Sequence, residues 1–140
     1  MSRTIRRFQK RDRPAVVALW QACGLTRPWN DPNADIDFCL ASREATLLVG
    51  EVNGEVAASV MVGHDGHRGW IYYLAVDPGS QKRGLGRAMT EAAEDWLKSH
   101  KVPKVLLMVR PENEAVRAFY HAIGYEEEPR IIFAKWLNKD

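Results

Sequence analysis

A short basic loop containing glycines joins an apolar strand pattern to an amphipathic helix pattern in the middle of this chain. The strand pattern ends as Leu74-Ala-Val-Asp-Pro78, and the loop continues as Gln81-Lys-Arg-Gly84-Leu-Gly86. Apolar residues then recur at helical spacing from Leu85 to Leu97. A helix that begins directly after such a loop presents unpaired N–H groups and the positive end of its dipole. The pattern therefore predicts an anion-binding turn within a mixed α/β fold.

The segment before this loop has the period of an antiparallel sheet. Strand patterns over 46–52 and 55–63 flank Asn53-Gly54, the strongest short hairpin signal. A second turn leads into 70–76, which is apolar on both faces and therefore central. We predict strands over 4–8, 46–52, 55–63, 70–76, 105–109 and 131–137, and helices over about 12–24, 34–42, 84–100 and 113–123. Asp12 is the expected N-cap of the first helix.

Composition indicates one globular domain, 1–140. The chain has 46% hydrophobic and 27% charged residues, and its formal net charge is +2. This balance does not favour nucleic-acid binding, and no nucleic-acid motif is recognised. The longest apolar run, 70–76, is far shorter than the ~20 residues of a membrane span. No apolar stretch follows the basic start, so we expect a cytoplasmic protein without a secretory signal.

The cysteines and histidines do not form a metal-binding pattern. Cys23 and Cys39 are sixteen residues apart, without a CxxC motif, which predicts two reduced buried thiols. His64-x-x-His67 in a turn is weak evidence for a metal, and a surface role is favoured for both histidines. We predict no metal site.

Two common phosphate-binding motifs do not fit the glycine loop. A dinucleotide fingerprint needs a third glycine at position 89, where this chain has Met89. A P-loop needs Lys and then Ser or Thr where Leu85 and Gly86 stand. The pattern that remains is Gln81-x-x-Gly84-x-Gly86.

This pattern resembles the acetyl-coenzyme A signature Q/R-x-x-G-x-G/A of the GNAT superfamily, the Gcn5-related N-acetyltransferases. Downstream, Asn113-Glu-Ala-Val-Arg-Ala-Phe-Tyr120 followed by Gly124-Tyr125 is similar to the second motif of that family. Arg27-Pro-Trp-Asn-Asp-Pro32 and Asp65-Gly-His-Arg68 further resemble the bacterial YpeA-like acetyltransferases. The order of predicted elements agrees with this family along essentially the whole chain.

The resemblance implies a fold and a cofactor site. The fold is a central, mostly antiparallel sheet with helices on both faces, splayed between the strand ending at Val76 and the strand from Val105. In the family, the backbone of the central strand pairs with the pantetheine arm of coenzyme A, which here implies Leu74, Ala75 and Val76. The Val76 amide is then an oxyanion donor. The implied pyrophosphate contacts are Lys82, Arg83, Gly84, Leu85, Gly86 and Arg87.

The second motif implies two further roles. Asn113 matches a cofactor contact, with helix capping as an equally weighted alternative. Tyr120 matches the general acid that protonates the departing thiolate, and the alternative is an aromatic residue on the buried stripe beside Phe119.

The general base stays open. Relatives that acetylate histones have a Glu at the position of Trp70 in this chain. Relatives that acetylate protein N-termini have a Glu at the position that Met108 occupies here. The remaining candidates are Glu51, Asp65, His64, His67, Tyr72 and Tyr73.

The acceptor amine is expected near the loop over 26–33 and the turn over 64–68. Trp29 then lines a pocket, and Asp31 and Asp35 attract a cationic amine. The slightly favoured alternative is a rigid loop in which Trp29 is packed and Asp31 caps the next helix.

Three functions remain in order of preference. The first is an N-acetyltransferase that moves acetyl from acetyl-CoA to a primary amine of a small molecule or protein, in a ternary complex. Neither cysteine lies in the signature motifs, which disfavours an acyl-enzyme. The second is a non-catalytic acyl-CoA-binding module, and the third is a basic nucleic-acid protein. The resemblance leaves a homodimer as an option.

Overall fold

The computed structural model describes residues 2–81 and 83–138, so Lys82 of the predicted cofactor loop lies outside the described residues. The strands are β1 (Arg3–Arg7), β2 (Ala45–Val52), β3 (Glu55–His64), β4 (Gly69–Val76) and β5 (Val105–Leu107). The helices are α1 (Arg13–Ala22), α2 (Pro32–Leu40), α3 (Leu85–Ser99) and α4 (Glu114–Ala122). The chain divides into two compact units, Met1–Leu107 and Met108–Asp140.

The sheet of the first unit has the strand order β1-β2-β3-β4-β5. Neighbours are antiparallel except for the parallel pair β4–β5. Asn53 and Gly54 both have positive φ, +52° and +83°, which matches the twist that a two-residue hairpin needs. The mostly antiparallel mixed sheet predicted from the sequence is therefore confirmed.

Helices cover both faces of this sheet. Because side chains alternate along a strand, Leu48 of β2 packs with Met89 of α3, whereas Leu47 and Val49 face α1 and α2. On the α1–α2 side the core is completed by fully buried side chains, among them Trp20 and Ile36. The first unit is thus a three-layer arrangement, helices–sheet–helix.

Strand β4 contains a bulge and continues past its partner β5. Ser59 pairs with Ala75 and Met61 pairs with Tyr72, so one residue of β3 faces two residues of β4. β5 pairs only with the first three residues of β4, 69–71. Within the described residues, the stretch 72–76 has no strand partner on that edge. The sheet is therefore splayed where the sequence predicted it to be.

The prediction of a last strand over 131–137 is wrong. This segment forms no strand in the described chain, and the side chains of Ile131, Phe133 and Leu137 are 85–91% exposed. A strand requires a neighbour that accepts and donates its backbone hydrogen bonds. The apolar alternation of the sequence supplies no such neighbour, and α4 is the only regular element described in the second unit.

The role predicted for Asp12 also changes. It immediately precedes α1, but its carboxylate does not cap the helix. Instead the two oxygens accept from the guanidinium of Arg6 at 2.8 and 2.9 Å, and one also accepts from the Gln9 N–H at 2.7 Å. Arg6 donates in addition to Glu51 at 2.8 Å. This network joins β1, β2 and the start of α1; Asp12 is buried, and the side chains of Arg6 and Glu51 are partly buried.

No helix in the described part of the chain is long and apolar enough to cross a bilayer.

Replacement of Asp12 by Ala should lower the free energy of unfolding by about 2–4 kcal/mol, because it leaves a largely buried guanidinium short of its partner. The hydrogen bonds from Arg6 hold the pKa of Asp12 below its usual value. A lowered folded-state pKa means that this stabilisation is present at neutral pH and is lost as the pH falls below about 4. Urea unfolding at about pH 7 and pH 3 measures both effects.

Asp37→Ala is the matched control, because Asp37 is paired with Arg13 but its side chain is 67% exposed. We expect it to cost less than about 1 kcal/mol at either pH. Equal costs for the two variants at pH 7 would contradict a stabilising role of the Asp12 network.

Candidate active site

The loop between β4 and α3 is folded back on the end of β4. The carboxylate of Asp77 accepts from the Gly79 N–H at 3.0 Å, and the Ser80 N–H donates to the Asp77 carbonyl at 2.8 Å. The side-chain amide of Gln81, the first residue of the signature, donates to the Val76 carbonyl at 3.2 Å. The signature glutamine therefore ties the loop to the strand that precedes it.

Gly84, the N-cap residue directly before α3, has the left-handed conformation. Its φ is +76°, and a Cβ there would meet no atom closer than Arg3 Nη1 at 4.0 Å, so conformation rather than space requires glycine. The hydrogen-bond ladder of the helix starts with the Ala88 N–H, which donates to the Gly84 carbonyl at 3.0 Å. The amides of 85–87 precede that first bond, and Gly84 has no side chain to cap them.

Positive charge surrounds this helix start. Arg87 lies in the first turn of α3 with its side chain 65% exposed, and its Nε is 3.9 Å from the carboxylate of Glu91. The carbonyl of Arg83 accepts from the guanidinium of Arg3 at 3.3 Å, which fixes the loop against β1. Amides, helix dipole and arginines together form a site suited to a phosphate-type anion.

The backbone of 74–76 lies at the open edge of β4. The Asp77 N–H donates to the Ala57 carbonyl of β3 at 2.7 Å. Because successive N–H groups of a strand point to opposite edges, the Val76 N–H points away from β3, to the edge that has no strand partner. A donor at that edge is available to a ligand that lies alongside β4.

A hydrogen-bonded aromatic network supports the bulge from the α1–α2 side. The rings of Trp20 and Tyr73 stack with centroids 3.7 Å apart. The Trp20 indole N–H donates to Ser59 Oγ at 2.8 Å, and that hydroxyl donates to the Tyr73 carbonyl at 2.8 Å. The Tyr73 hydroxyl donates to Asp35 Oδ2 at 2.6 Å. The sequence contains no periodic signal for this network.

Several candidate bases are engaged elsewhere. Burial and the Asp35 carboxylate raise the pKa of Tyr73, so its proton is firmly held. Asp65 accepts from the His67 and Arg68 N–H groups and from the Trp70 indole, which lowers the pKa of Asp65 to about 2. Both are therefore poor proton acceptors.

Two other candidates are paired at the sheet. Glu51 accepts from Arg6 at 2.8 Å. His64 Nε2 lies 2.7 Å from Glu44, and its Nδ1 accepts from the Gly66 N–H at 3.1 Å. Desolvation raises the pKa of Tyr72, which also keeps that phenol protonated. Of the six sequence candidates, His67 and Tyr72 form no side-chain hydrogen bond or ion pair within residues 2–81 and 83–138, and the Tyr72 ring stacks on Trp70.

The α1–α2 connection fits neither sequence alternative completely. Asp31 caps α2, because its carboxylate accepts from the Asn33 N–H at 2.9 Å, as the alternative expected. Trp29 is 53% exposed, so the prediction that it is packed is wrong. The tryptophan is available at the surface of the loop.

The second unit holds Asn113 and Tyr120. The Asn113 side chain caps α4 by accepting from the Val116 N–H at 3.2 Å. Tyr120 is buried, with its ring edge-on to Phe119 and Tyr125. Burial raises the pKa of Tyr120 to about 12, so its hydroxyl is a proton donor throughout the neutral range.

The two cysteines form no disulfide, and the potential metal ligands of the described residues do not cluster. Cys23 and Cys39 are both free, and burial raises the pKa of Cys39 to about 11. Over residues 2–81 and 83–138, no group of three or more His, Cys, Asp or Glu side chains is placed to hold a metal ion.

The sequence and the fold match acetyltransferases. Residues 9–125 match the model of the acetyltransferase (GNAT) family. An acetyltransferase of Pectobacterium atrosepticum is 45% identical over 97% of this chain and 96% of its own length. The ribosomal-protein-S18-alanine N-acetyltransferase of Escherichia coli is 28% identical, with a TM-score of 0.78 over 91% of this chain and 79% of that one.

A further structural match is AAC(6')-Iy in complex with the bisubstrate analogue CoA-S-monomethyl-acetylneamine. It has a TM-score of 0.85 at 17% identity, covering 97% of this chain and 99% of that chain. The match at this identity concerns the fold, and it agrees with the family assignment from sequence. The chain belongs to the GNAT family of acetyltransferases.

Proposed function

We propose that this acetyltransferase transfers the acetyl group of acetyl-CoA to a primary amine, by direct attack in a ternary complex. The observation that carries the proposal is the open edge of β4 at 72–76, which the glycine loop joins to the left-handed Gly84 and the start of α3. An extended arm that ends in a pyrophosphate is complementary to an unpaired strand edge followed by an anion-binding helix terminus.

Each part of the cofactor is proposed to contact particular residues of these elements. The pantetheine arm adds to β4 at Leu74, Ala75 and Val76, and exchanges backbone hydrogen bonds with it. The pyrophosphate lies on the loop amides and near its cations, and Asn113 contributes a further contact. The loop contacts are Lys82, Arg83, Gly84, Leu85, Gly86 and Arg87.

The reaction needs a neutral amine and a stabilised oxyanion. The neutral amine nitrogen attacks the thioester carbonyl carbon, and the carbonyl oxygen gains negative charge. The C–S bond then breaks, coenzyme A leaves as a thiolate, and the nitrogen gives up one proton to water as the amide forms. The Val76 N–H, which points to the open edge, donates to that oxygen. One fixed donor of this kind contributes about 3–4 kcal/mol to the stability of a transition state.

Tyr120 is proposed to donate its proton to the departing thiolate, as its position in the family motif implies. A phenol with a pKa near 12 is a weaker acid than an ordinary thiol, whose pKa is about 8.5. Complete proton transfer is therefore uphill from this buried state, and a hydrogen bond to the thiolate supplies most of the stabilisation.

The acceptor is proposed as a primary amine without a narrower class. One matched protein is named for the alanine of a ribosomal protein, and another was solved with an acetylneamine analogue. Both names describe amine acceptors, one a protein and one a small molecule, and both sizes of acceptor are included in the experiment.

The experiment is the release of free coenzyme A from acetyl-CoA, followed with a thiol reagent across amines, amino acids and peptides. Turnover with one class supports the proposal and identifies the acceptor. Calorimetric binding of acetyl-CoA without turnover on any amine would contradict the transfer step and favour a non-catalytic acyl-CoA-binding module.

Tyr120→Phe should lower kcat by about 10²-fold or more, because the departing thiolate then loses the hydrogen bond that the Tyr120 hydroxyl donates. The dissociation constant of acetyl-CoA should stay within about twofold by calorimetry. In the unmodified enzyme the raised pKa keeps Tyr120 protonated, so kcat should show no loss from its ionisation between pH 7 and about 10.

Tyr125→Phe is the matched control, because it removes the hydroxyl of the tyrosine whose ring packs on Tyr120. It should leave kcat within about threefold. If the two variants have the same kcat, Tyr120 has no role in the chemical step.

Arg87→Glu should raise the KM for acetyl-CoA about tenfold, because it places a negative charge beside the proposed pyrophosphate. The KM for S-acetyl-pantetheine, which lacks the pyrophosphate, should not rise. Lys98→Glu, the same charge reversal at the other end of α3, is the control. Equal effects on both donors, or an effect of Lys98→Glu as large as that of Arg87→Glu, would contradict the assigned pyrophosphate position.

A further inference from the structure

Helix α2 carries a carboxylate beside the bulge of β4 that has no cationic partner among the residues that the structure describes. We propose that Asp35 binds the acceptor amine as an ammonium ion, which gives up a proton to water before its nitrogen attacks, with Tyr73 as the residue that positions the Asp35 carboxylate. This inference rests on the proposed acetyl transfer to an amine and names the side of the sheet from which the amine approaches.

The other carboxylates of this region already have partners. Asp31 caps α2, Asp37 pairs with Arg13, and Asp12 pairs with Arg6. For Asp35, the bond from the Tyr73 hydroxyl is the only side-chain interaction described, and no Lys, Arg or His of residues 2–81 and 83–138 forms an ion pair with it. A carboxylate offers about four acceptor positions on two oxygens, so capacity remains.

The Asp35 carboxylate is half-buried, which makes the lack of a cation informative. An ionised group that is partly removed from water loses hydration, and proteins normally compensate it with a counter-charge or several hydrogen bonds. Tyr73 supplies one neutral hydrogen bond and no charge. An ammonium ligand supplies both the missing charge and additional donors, as a charge-assisted hydrogen bond.

Tyr73 fixes where this charge lies relative to the reacting edge. Its ring is held by stacking on Trp20, and its carbonyl accepts from Ser59. These contacts fix the orientation of the Tyr73 ring, and in this orientation its hydroxyl donates to Asp35. Tyr73 is also the left-handed residue of the bulge, directly before Leu74 of the proposed cofactor strand. An ammonium bound to Asp35 is thus separated from that strand by the side chain of Tyr73.

The substitution Asp35→Asn tests the charge without removing the acceptor of the Tyr73 hydrogen bond. We expect the KM for the best amine of the panel to rise about tenfold or more. The dissociation constant of acetyl-CoA should stay within about twofold, because α2 carries no cofactor contact in this assignment. Asp37→Asn, two residues away on the same helix, should leave both quantities unchanged.

Tyr73→Phe tests the positioning role. The ring and its stacking on Trp20 are retained, and the carboxylate keeps its charge but loses its fixed orientation. The KM for the amine should rise by about three- to fivefold, less than for Asp35→Asn. A purely structural role of this hydroxyl would lower the melting temperature without changing the ratio of the KM values for amine and acetyl-CoA.

A binding measurement without turnover separates this inference from the proposed function. The unmodified protein is titrated with n-butylammonium chloride, and the NMR signal of the Trp20 indole N–H, which is bonded to Ser59, is followed. We expect a saturable shift that Asp35→Asn abolishes, and no such shift with n-butanol, the neutral analogue.

The outcomes are distinguishable. Turnover on an amine together with an unchanged amine KM for Asp35→Asn overturns the assignment of Asp35 and leaves acetyl transfer intact. Equal shifts with butanol and butylammonium also overturn it. An Asp35-dependent ammonium shift without any acetyl transfer supports the ammonium site and removes the proposed reaction. If Asp35→Asn does not fold, the unmodified protein still tests the ammonium site. A shift with butylammonium but not with butanol supports the site, and equal shifts overturn it.

Discussion

The left-handed backbone of Tyr73 is the constraint on which the open edge of β4 depends. A bulky residue with φ of +53° is strained by roughly 1–3 kcal/mol. Stacking on Trp20, worth about 0.5–1.5 kcal/mol, and the bonds to Ser59 and Asp35 offset this cost. The bulge that results bends β4, and β5 pairs only with the part of β4 before it.

The two faces of the sheet carry opposite electrostatic character near this edge. On the α3 side, the helix start follows a loop with arginines, and its dipole adds positive potential. On the α1–α2 side, the charged group at the bulge is the carboxylate of Asp35. In the proposed reaction, the negatively charged cofactor and the positively charged amine would therefore be favoured on different sides of the same strand. Such a separation would keep the amine away from the pyrophosphate, where it would form an unproductive ion pair.

Features that depend on neighbouring residues could be predicted from the sequence, and features that depend on distant residues could not. The Asn53-Gly54 hairpin, the α3 stripe and the glycine loop are local patterns, and each is found where expected. The bond between Tyr73 and Asp35 joins residues 38 positions apart, and no spacing rule predicts it. The prediction of a strand over 131–137 was wrong for the same reason. The alternation of apolar residues indicates which side chains share a face, but it does not indicate which strand would pair with the segment.

Residues at the end of helix α1 contact β4 at two points, and these contacts support the strand where its bulge interrupts regular pairing. Trp20 holds the bulge at Tyr73, and three residues later the Cys23 thiol donates to the Val76 carbonyl at 3.3 Å. Trp20 lies in the last turn of α1 and Cys23 is the residue that directly follows this helix, so the end of α1 contacts both ends of the proposed cofactor strand. The Val76 carbonyl is thereby engaged by Cys23 and Gln81, and the Val76 N–H is left as the group directed to the open edge. Packing on the α1–α2 side therefore determines which backbone atom of β4 is available for the chemistry.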